Sequence, residues 1–454
     1  MNLEDIKACF NTRKKEIIDD WYQFLRFRSI STNPEYNQDC INCAEWLSLY
    51  LREHGLSSEV IRSKGKPLVF AETRGGANEQ TALFYGHYDV QPVDPIDLWE
   101  SDPFEPVERN GRVYARGAQD NKGQAFAFIS AVLALKELNR LKLNVKILIE
   151  GEEECGSHSI GEMLGSLKEK LGADFLMVSD SITSSLDVTT ITMGLRGVIH
   201  LEIKLRGSSR DLHSGIHGGV APNPATALAR LLSSLHYENG RIAVEGYYDG
   251  IDGPSSEELR LASASDIDPR AYQNSVGVLP CGGEKGLSLM NRRGFQPTVE
   301  INGITAGYQG EGQKTIIPSW ASAKITSRIA GRQDPERCLE LLKSHMRKFK
   351  PEGLELEIYG DGVGGGAVFV SSESPVFRKA KKILKQLNGN EPQCIWEGAS
   401  IPVIPLLSKV SGATPLLVGF GLEEDNIHAP NESFSLAQFR QCFLYTGLVL
   451  SEWN

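Results

Sequence analysis

Residues 122–149 read KGQAFAFISAVLALKELNRLKLNVKILI, and this stretch decides the fold class. Lys122–Leu138 is apolar on every side at helical length, which predicts a buried helix rather than a surface one. Val145–Ile149 is a short apolar run of strand length. Outward from this pair, Leu68–Glu72, Ala82–Tyr85 and Phe175–Val178 are runs of the same kind, and helical spacing occupies Leu3–Phe27 and Asn37–Glu53. Strands alternating with helices, with the apolar helix between two of them, predict an α/β layer on a central, mostly parallel sheet.

After Ser181 the texture changes. Thr189–Arg206 reads as strand, turn at Gly194 and strand; Asn223–His236 is an amphipathic helix with Pro224 at its start; Ala321–Ile329 is a strand and Pro335–Phe349 a helix. That order predicts a small α+β sandwich. Gly360–Gly366 has the composition of a linker, and Ser374-Pro375 opens a further helix that stops at Asn388-Gly389. The chain is therefore expected to hold one discontinuous domain, 1–190 and 366–454, interrupted by an inserted domain, 191–365. The glycines at 364–366 lack the Lys-Ser/Thr pair and following helix of a phosphate loop.

Composition bounds the function. At 454 residues the chain exceeds one ordinary core, and 41% apolar with 23% charged residues excludes disordered and fibrous classes. Its 58 acidic against 48 basic residues give a net charge of −10, which disfavours a nucleic-acid surface. No stretch has the length and apolarity of a membrane span, and Met1–Arg28 mixes acids and bases where a signal peptide carries an apolar core. These features predict a cytoplasmic protein. Eight scattered cysteines suit free thiols; Cys40 and Cys43, on one face of a helix and without a second pair or a nearby histidine, read as buried residues and not as a zinc or redox site.

The polar residues that interrupt this pattern follow the apolar runs. His87 and Asp89 come just after a strand, two apart and so on the same side, a spacing that lets a carboxylate orient a metal-ligating imidazole. Alone, His87 reads more plainly as a turn histidine, and Asp120, just before the apolar helix, as its cap. Glu152, Glu153 and Glu154 follow a buried strand and repel one another unless a cation compensates; a solvated acidic turn is the competing reading. Asp180 ends the next strand, and His428 sits in the loop Glu423–Asn431 after another. All lie at one edge of the predicted sheet, where open α/β sheets place their sites. Two histidines with several carboxylates suit two divalent ions, zinc first and cobalt or manganese as alternatives.

The ordered segments GHYD, RGAQDNKG, EGEEECGS, VSDS, DLHSG and NIHAPNES resemble the signatures of the M20 metallopeptidases, over nearly the whole chain. Trp99–Gly123 is similar to the branch that includes the carnosine-type dipeptidases. The resemblance implies that Asp120 bridges two metals, that His87 and Asp180 complete one ligand set and Glu154 and His428 the other, and that Glu153 is the general base. It implies that Asp89 braces His87, and that the Asp120–Asn121 peptide is cis, with Asn121 standing where many members have Asp. Glu152 departs from several dipeptidases, which are apolar there, and on this alignment is a bystander that adds negative charge. The resemblance further makes the inserted domain a lid and dimerisation domain of a homodimer, whose His213 enters the partner subunit's site to polarise the scissile carbonyl. The resemblance makes Arg328 the receiver of a substrate carboxylate, which Ser400, in the loop Gly398-Ala399-Ser400, is expected to meet as well. For Arg328 a structural ion pair competes, and for His213 an ordinary core or surface histidine.

The expected function is metal-dependent hydrolysis of dipeptides or other short peptides with a free C-terminal carboxylate. An N-acyl-amino-acid deacylase or desuccinylase would use the same metals, and a catalytically silent, metal-stabilised binding protein is the alternative of another class.

Overall fold

The computed structural model describes residues 1–75 and 80–453. These divide into two compact units, one of Met1–Met193, Val370–Ile395 and Val403–Asn454, the other of Gly194–Phe369 and Trp396–Pro402. The short return segment at 396–402 has no counterpart in the sequence expectation of a single insertion.

In the first unit, strands Ser57–Ile61 (β1), Leu68–Thr73 (β2), Thr81–His87 (β3), Asn144–Glu150 (β4), Phe175–Val178 (β5), Thr190–Leu195 (β6) and Thr414–Leu417 (β7) stand in the order β1-β2-β4-β3-β5-β7-β6. The central four, β4, β3, β5 and β7, are parallel, and the flanking pairs are antiparallel. Helices Leu3–Leu25 (α1), Asn37–Glu53 (α2), Lys122–Glu137 (α3), His158–Leu171 (α4) and Leu436–Glu452 (α5) cover the sheet. In α3 every residue from Lys122 to Leu135 is buried, because α1, α5 and β3 all pack on it. Such a helix has no polar face to spare, which is why its sequence shows no stripe. Cys40 and Cys43 are buried in α2, and burial pushes their thiols up to about 12 and about 11, as for inert core cysteines.

The second unit is an antiparallel sheet in the order Thr298–Ala306, Trp320–Ile329, Gly197–Arg206, Glu355–Gly365. Leu201, Ile203 and Leu205 alternate inward and form one core with Leu228 and Leu231 of helix Pro224–Ser233 and with Leu339 and Leu342 of helix Pro335–Lys348. Two sequence readings change. The turn expected at Gly194 falls at Arg196, between β6 and the next strand. Gly360–Gly366 is not a linker but mostly strand, with register shifts between Tyr359 and Gly362 and between Val363 and Gly365. Its glycines serve close approach: a Cβ on Gly364 would lie 2.5 Å from Val198 Cγ1, and Gly365, at φ +129°, one 2.9 Å from the Pro402 Cα. No described helix is long and apolar enough to cross a membrane.

Candidate metal centre

Within the first unit, the carboxyl ends of the parallel strands bring five polar side chains together. His87 is the last residue of β3, Asp180 follows β5, the turn Glu153–Cys155 follows β4, and the loop carrying His428 follows β7. Asp120 enters from the start of α3, and its peptide bond to Asn121 is cis. It does not cap that helix: Asn121 holds the N-cap position and no side chain caps it. Two groups result, His87–Asp120–Asp180 and Asp120–Glu154–His428, the ligand-type atoms of each lying within 4.8 Å of one another.

His87 is fully buried, and its Nδ1 faces the main-chain oxygen of Asp89 at 3.0 Å. A carbonyl only accepts, so Nδ1 carries a proton there and Nε2 points the other way. There Nε2 meets Asp120 Oδ1 at 3.2 Å and Asp180 Oδ2 at 3.8 Å, yet it has no hydrogen-bond partner. On the other side His428 Nε2 stands 2.9 Å from Asp120 Oδ2 and 3.4 Å from Glu154 Oε2. An orphaned buried imidazole nitrogen facing carboxylate oxygens, with Asp120 offering one oxygen to each group, is a donor set that fits divalent cations.

The electrostatics agree. Burial and the facing Asp120 push Asp180 up to about 7, and burial with Asp180, Glu154 and Asp120 nearby raises Glu153 well above the carboxylate range, His87 opposing. Burial opposes protonation of His87, but Asp120, Asp89, Asp180 and Glu153 outweigh it; hydrogen bonds to Asp120 and Glu154 push His428 up to about 10. Burial is likewise outweighed at Asp120, which the two histidines hold below its ordinary value. This is an excess of negative charge that, without metal, only protons relieve.

The surrounding contacts refine the sequence reading. The Asp89 carboxylate stands 3.4 Å from His87 Nδ1 and spends its oxygens elsewhere: Oδ1 accepts the Glu153 amide at 3.2 Å, and Oδ2 the Glu154 amide at 3.1 Å and the Ser31 hydroxyl at 2.6 Å. Asp89 thus holds His87 through its main chain and the glutamate turn through its side chain. Glu152 is more than a bystander, since Oε1 accepts the Lys66 amide and Oε2 the Ser159 amide, each at 3.0 Å, tying a loop to the start of α4. Gln91 escaped the sequence reading: its Nε2 donates to Glu154 Oε2 at 2.7 Å, and its only signal was its place four residues after His87. Asn121 donates to Ser179 O at 2.6 Å and to Asp180 Oδ1 at 3.0 Å, so the amide supplies a donor that Asp would lack.

Three candidates lie in the second unit. His213 is exposed, and its Nδ1 accepts the Gly215 amide at 3.0 Å. Arg328 is half-buried, and no acid pairs with it among the described residues; Nη1 donates to Ser400 Oγ at 2.7 Å, and that hydroxyl in turn donates to Arg196 O. Ser400 therefore uses its one proton on the main chain and orients Arg328 with its lone pair.

Comparison with known proteins adds an independent line. The family described as Peptidase family M20/M25/M40 matches residues 83–451. The chain is 30% identical over 456 residues to the Cys-Gly metallodipeptidase dug1 of Schizosaccharomyces pombe, covering 97% of this chain and 96% of that protein. It is 29% identical over 374 residues to the Beta-Ala-His dipeptidase of Homo sapiens, covering 81% and 74%. Among solved structures, the M20 family metallo-carboxypeptidase Sso-CP2 from Sulfolobus solfataricus superposes with a TM-score of 0.82 at 32% identity, covering 96% and 98%.

Proposed function

This chain belongs to peptidase family M20/M25/M40, and from that premise and the geometry above we propose that it is a dipeptidase working with two divalent ions. The observation that carries the reading is the buried, unpartnered His87 Nε2 between carboxylates, with Asp120 shared by both donor groups. His87, Asp120 and Asp180 would hold one ion and Asp120, Glu154 and His428 the other, with zinc first and cobalt or manganese as alternatives. Such ions supply Lewis acidity toward an amide carbonyl and water of lowered pKa.

The chain's own residues do the rest. Glu153 takes the proton of the attacking water on a carboxylate oxygen and returns it to the leaving amine nitrogen. Asp89 fixes the main chain of Glu153 and Glu154 so that base and ligand keep separate directions. His213, with Nδ1 already accepting, carries its proton on Nε2 and can donate it to the scissile carbonyl oxygen; in the dimer that we infer, it does so in the partner subunit's site. Arg328, paired with no acid among the described residues and oriented by Ser400, receives the substrate's C-terminal carboxylate. The names of the relatives, two dipeptidases and a metallo-carboxypeptidase, support a short substrate read at its C-terminus. Cys9, Cys40, Cys43, Cys155, Cys281, Cys338 and Cys442 are free thiols, in keeping with action in the cytoplasm.

A metal-supplemented steady-state screen tests the reading. Dipeptides, β-alanyl and D-residue forms included, should be hydrolysed faster than their C-terminal amides and than N-acetyl amino acids. Preference for the acetyl amino acids would move the activity to deacylation, and no hydrolysis by the metal-loaded protein would point to the silent binding protein.

A further inference from the structure

The segment NIHAPNES contains one acid, Glu432, that the chemistry above leaves unused. Glu432 is fully buried, and its carboxylate accepts four hydrogen bonds. Oε2 takes Arg116 Nη1 and the Gly117 amide, each at 2.9 Å; Oε1 takes the Gln119 amide at 2.9 Å and the Asp120 amide at 3.0 Å. Arg116 is itself 1% exposed, with Nη2 donating to Pro92 O at 2.9 Å. The main chain continues the contact: the Ala115 amide donates to Glu432 O at 3.1 Å, and Ser433 pairs with Tyr114. Glu432 lies four residues after His428, so one carboxylate joins the loop that carries Asp120 to the loop that carries His428.

Stability alone does not call for this arrangement. A buried ion pair gives back in attraction about what it costs in desolvation, and apolar side chains of the same volume often serve as well. What an apolar pair lacks is a set of acceptors for three amides of one tight loop, the amide of Asp120 among them. We propose that Glu432 is a positioning residue for the metal centre: by clamping the backbone at 117–120 it sets Asp120 in register with His428 before any metal arrives. The proposal rests on the two-metal reading and extends it to how the ligand pair is preorganised.

Glu432→Gln is the informative change, because either orientation of the amide turns an NH2 group toward N–H donors that had an acceptor. Zn2+ titration of the metal-free protein against a chromophoric chelator should show affinity falling roughly tenfold to a hundredfold, with circular dichroism unchanged. Phe10→Ala, which empties a buried site where α1 packs on Phe443 of α5, serves as a control for stability loss and should keep wild-type affinity. Glu432→Gln that binds Zn2+ as tightly as the wild type overturns the proposal alone; a wild type that binds no Zn2+ overturns the two-metal reading and the proposal with it. Should Glu432→Gln not fold, amide exchange in the metal-free wild type decides. The peptide 115–121 should be protected before any metal is added, and exchange at an open-loop rate until Zn2+ arrives would refute the clamp.

Discussion

Asp120 Oδ2 and His428 Nε2 lie 2.9 Å apart, although 308 residues separate them in the chain. The other oxygen of the same carboxylate faces His87 at 3.2 Å, so Asp120 is common to both donor groups while Asp180 and His428 each belong to one. Ion counting should reflect that asymmetry. After dialysis against a weak chelator, the wild type should retain two ions per chain, Asp180→Ala and His428→Ala about one, and Asp120→Ala neither. Stronger chelation should abolish activity in the wild type, and added Zn2+ should restore it. Two retained ions in Asp120→Ala, measured by plasma mass spectrometry, would remove the shared ligand.

The neighbouring glutamates make a second contrast. Glu152 is committed to the Lys66 and Ser159 amides, and a Cβ on Gly65 would lie only 1.7 Å from its Oε1, so both of its oxygens are held in place. Glu153→Gln should keep its metals and lose roughly a hundredfold to ten-thousandfold in kcat. Glu152→Gln should keep kcat and lose about 1 kcal/mol of stability with one of its hydrogen bonds. Rate and urea midpoint, measured on both variants, separate base from brace; a dead Glu152→Gln beside an active Glu153→Gln would shift the base by one residue.

Much of this was legible in the chain because buried parallel strands write themselves as apolar runs. β3, β4 and β5 are legible to within a residue or two, and of the polar residues at their ends His87, Glu154 and Asp180 are among those the structure brings together. What stayed hidden depends on hydrogen bonds to the backbone and on long-range register, which side-chain identity does not encode. Asp89 binds amides at the end of the neighbouring strand, Ser400 gives its proton to Arg196 O, and Glu432 faces a loop 312 residues distant. Glycine misled for a related reason: in Gly360–Gly366 it answers a neighbour's closeness, which reads in sequence as looseness.

Glu150 should make stability depend on pH in a defined direction. Its side chain is buried at the end of β4, where Oε1 accepts the Tyr85 and Ser157 hydroxyls and Oε2 has no partner, and burial pushes its pKa from 4.5 up to about 7. A raised pKa means that the folded chain holds the proton when the unfolded chain has released it. Stability contributed by that proton is present below pH 4.5 and is lost as pH rises to about 7. Glu150→Gln keeps an acceptor for both hydroxyls and cannot ionise, so the metal-free variant should exceed the wild type by up to roughly 3 kcal/mol at pH 8. Urea unfolding at pH 8 and pH 4 should show that gap closing on acidification. An equal gap at both pH values would assign it to packing.

His213 gives the prediction that reaches furthest beyond one chain. Its Nδ1 is occupied by the Gly215 amide and its ring is exposed, so the Nε2 proton is available to an acceptor beyond its own segment. If that acceptor is the scissile carbonyl in the partner subunit's site, each site of a two-fold dimer takes Glu153 from one protomer and His213 from the other. Glu153→Ala and His213→Ala homodimers should then both be nearly inactive, since every site lacks one part. In a mixed dimer the protomer carrying His213→Ala still has Glu153 and receives an intact histidine from its partner, so one site of two is whole. With random exchange half the dimers are mixed, and activity should return to roughly a quarter of the wild-type value. Exchange verified by native mass spectrometry without recovery of activity would place His213 in its own subunit's site or outside catalysis.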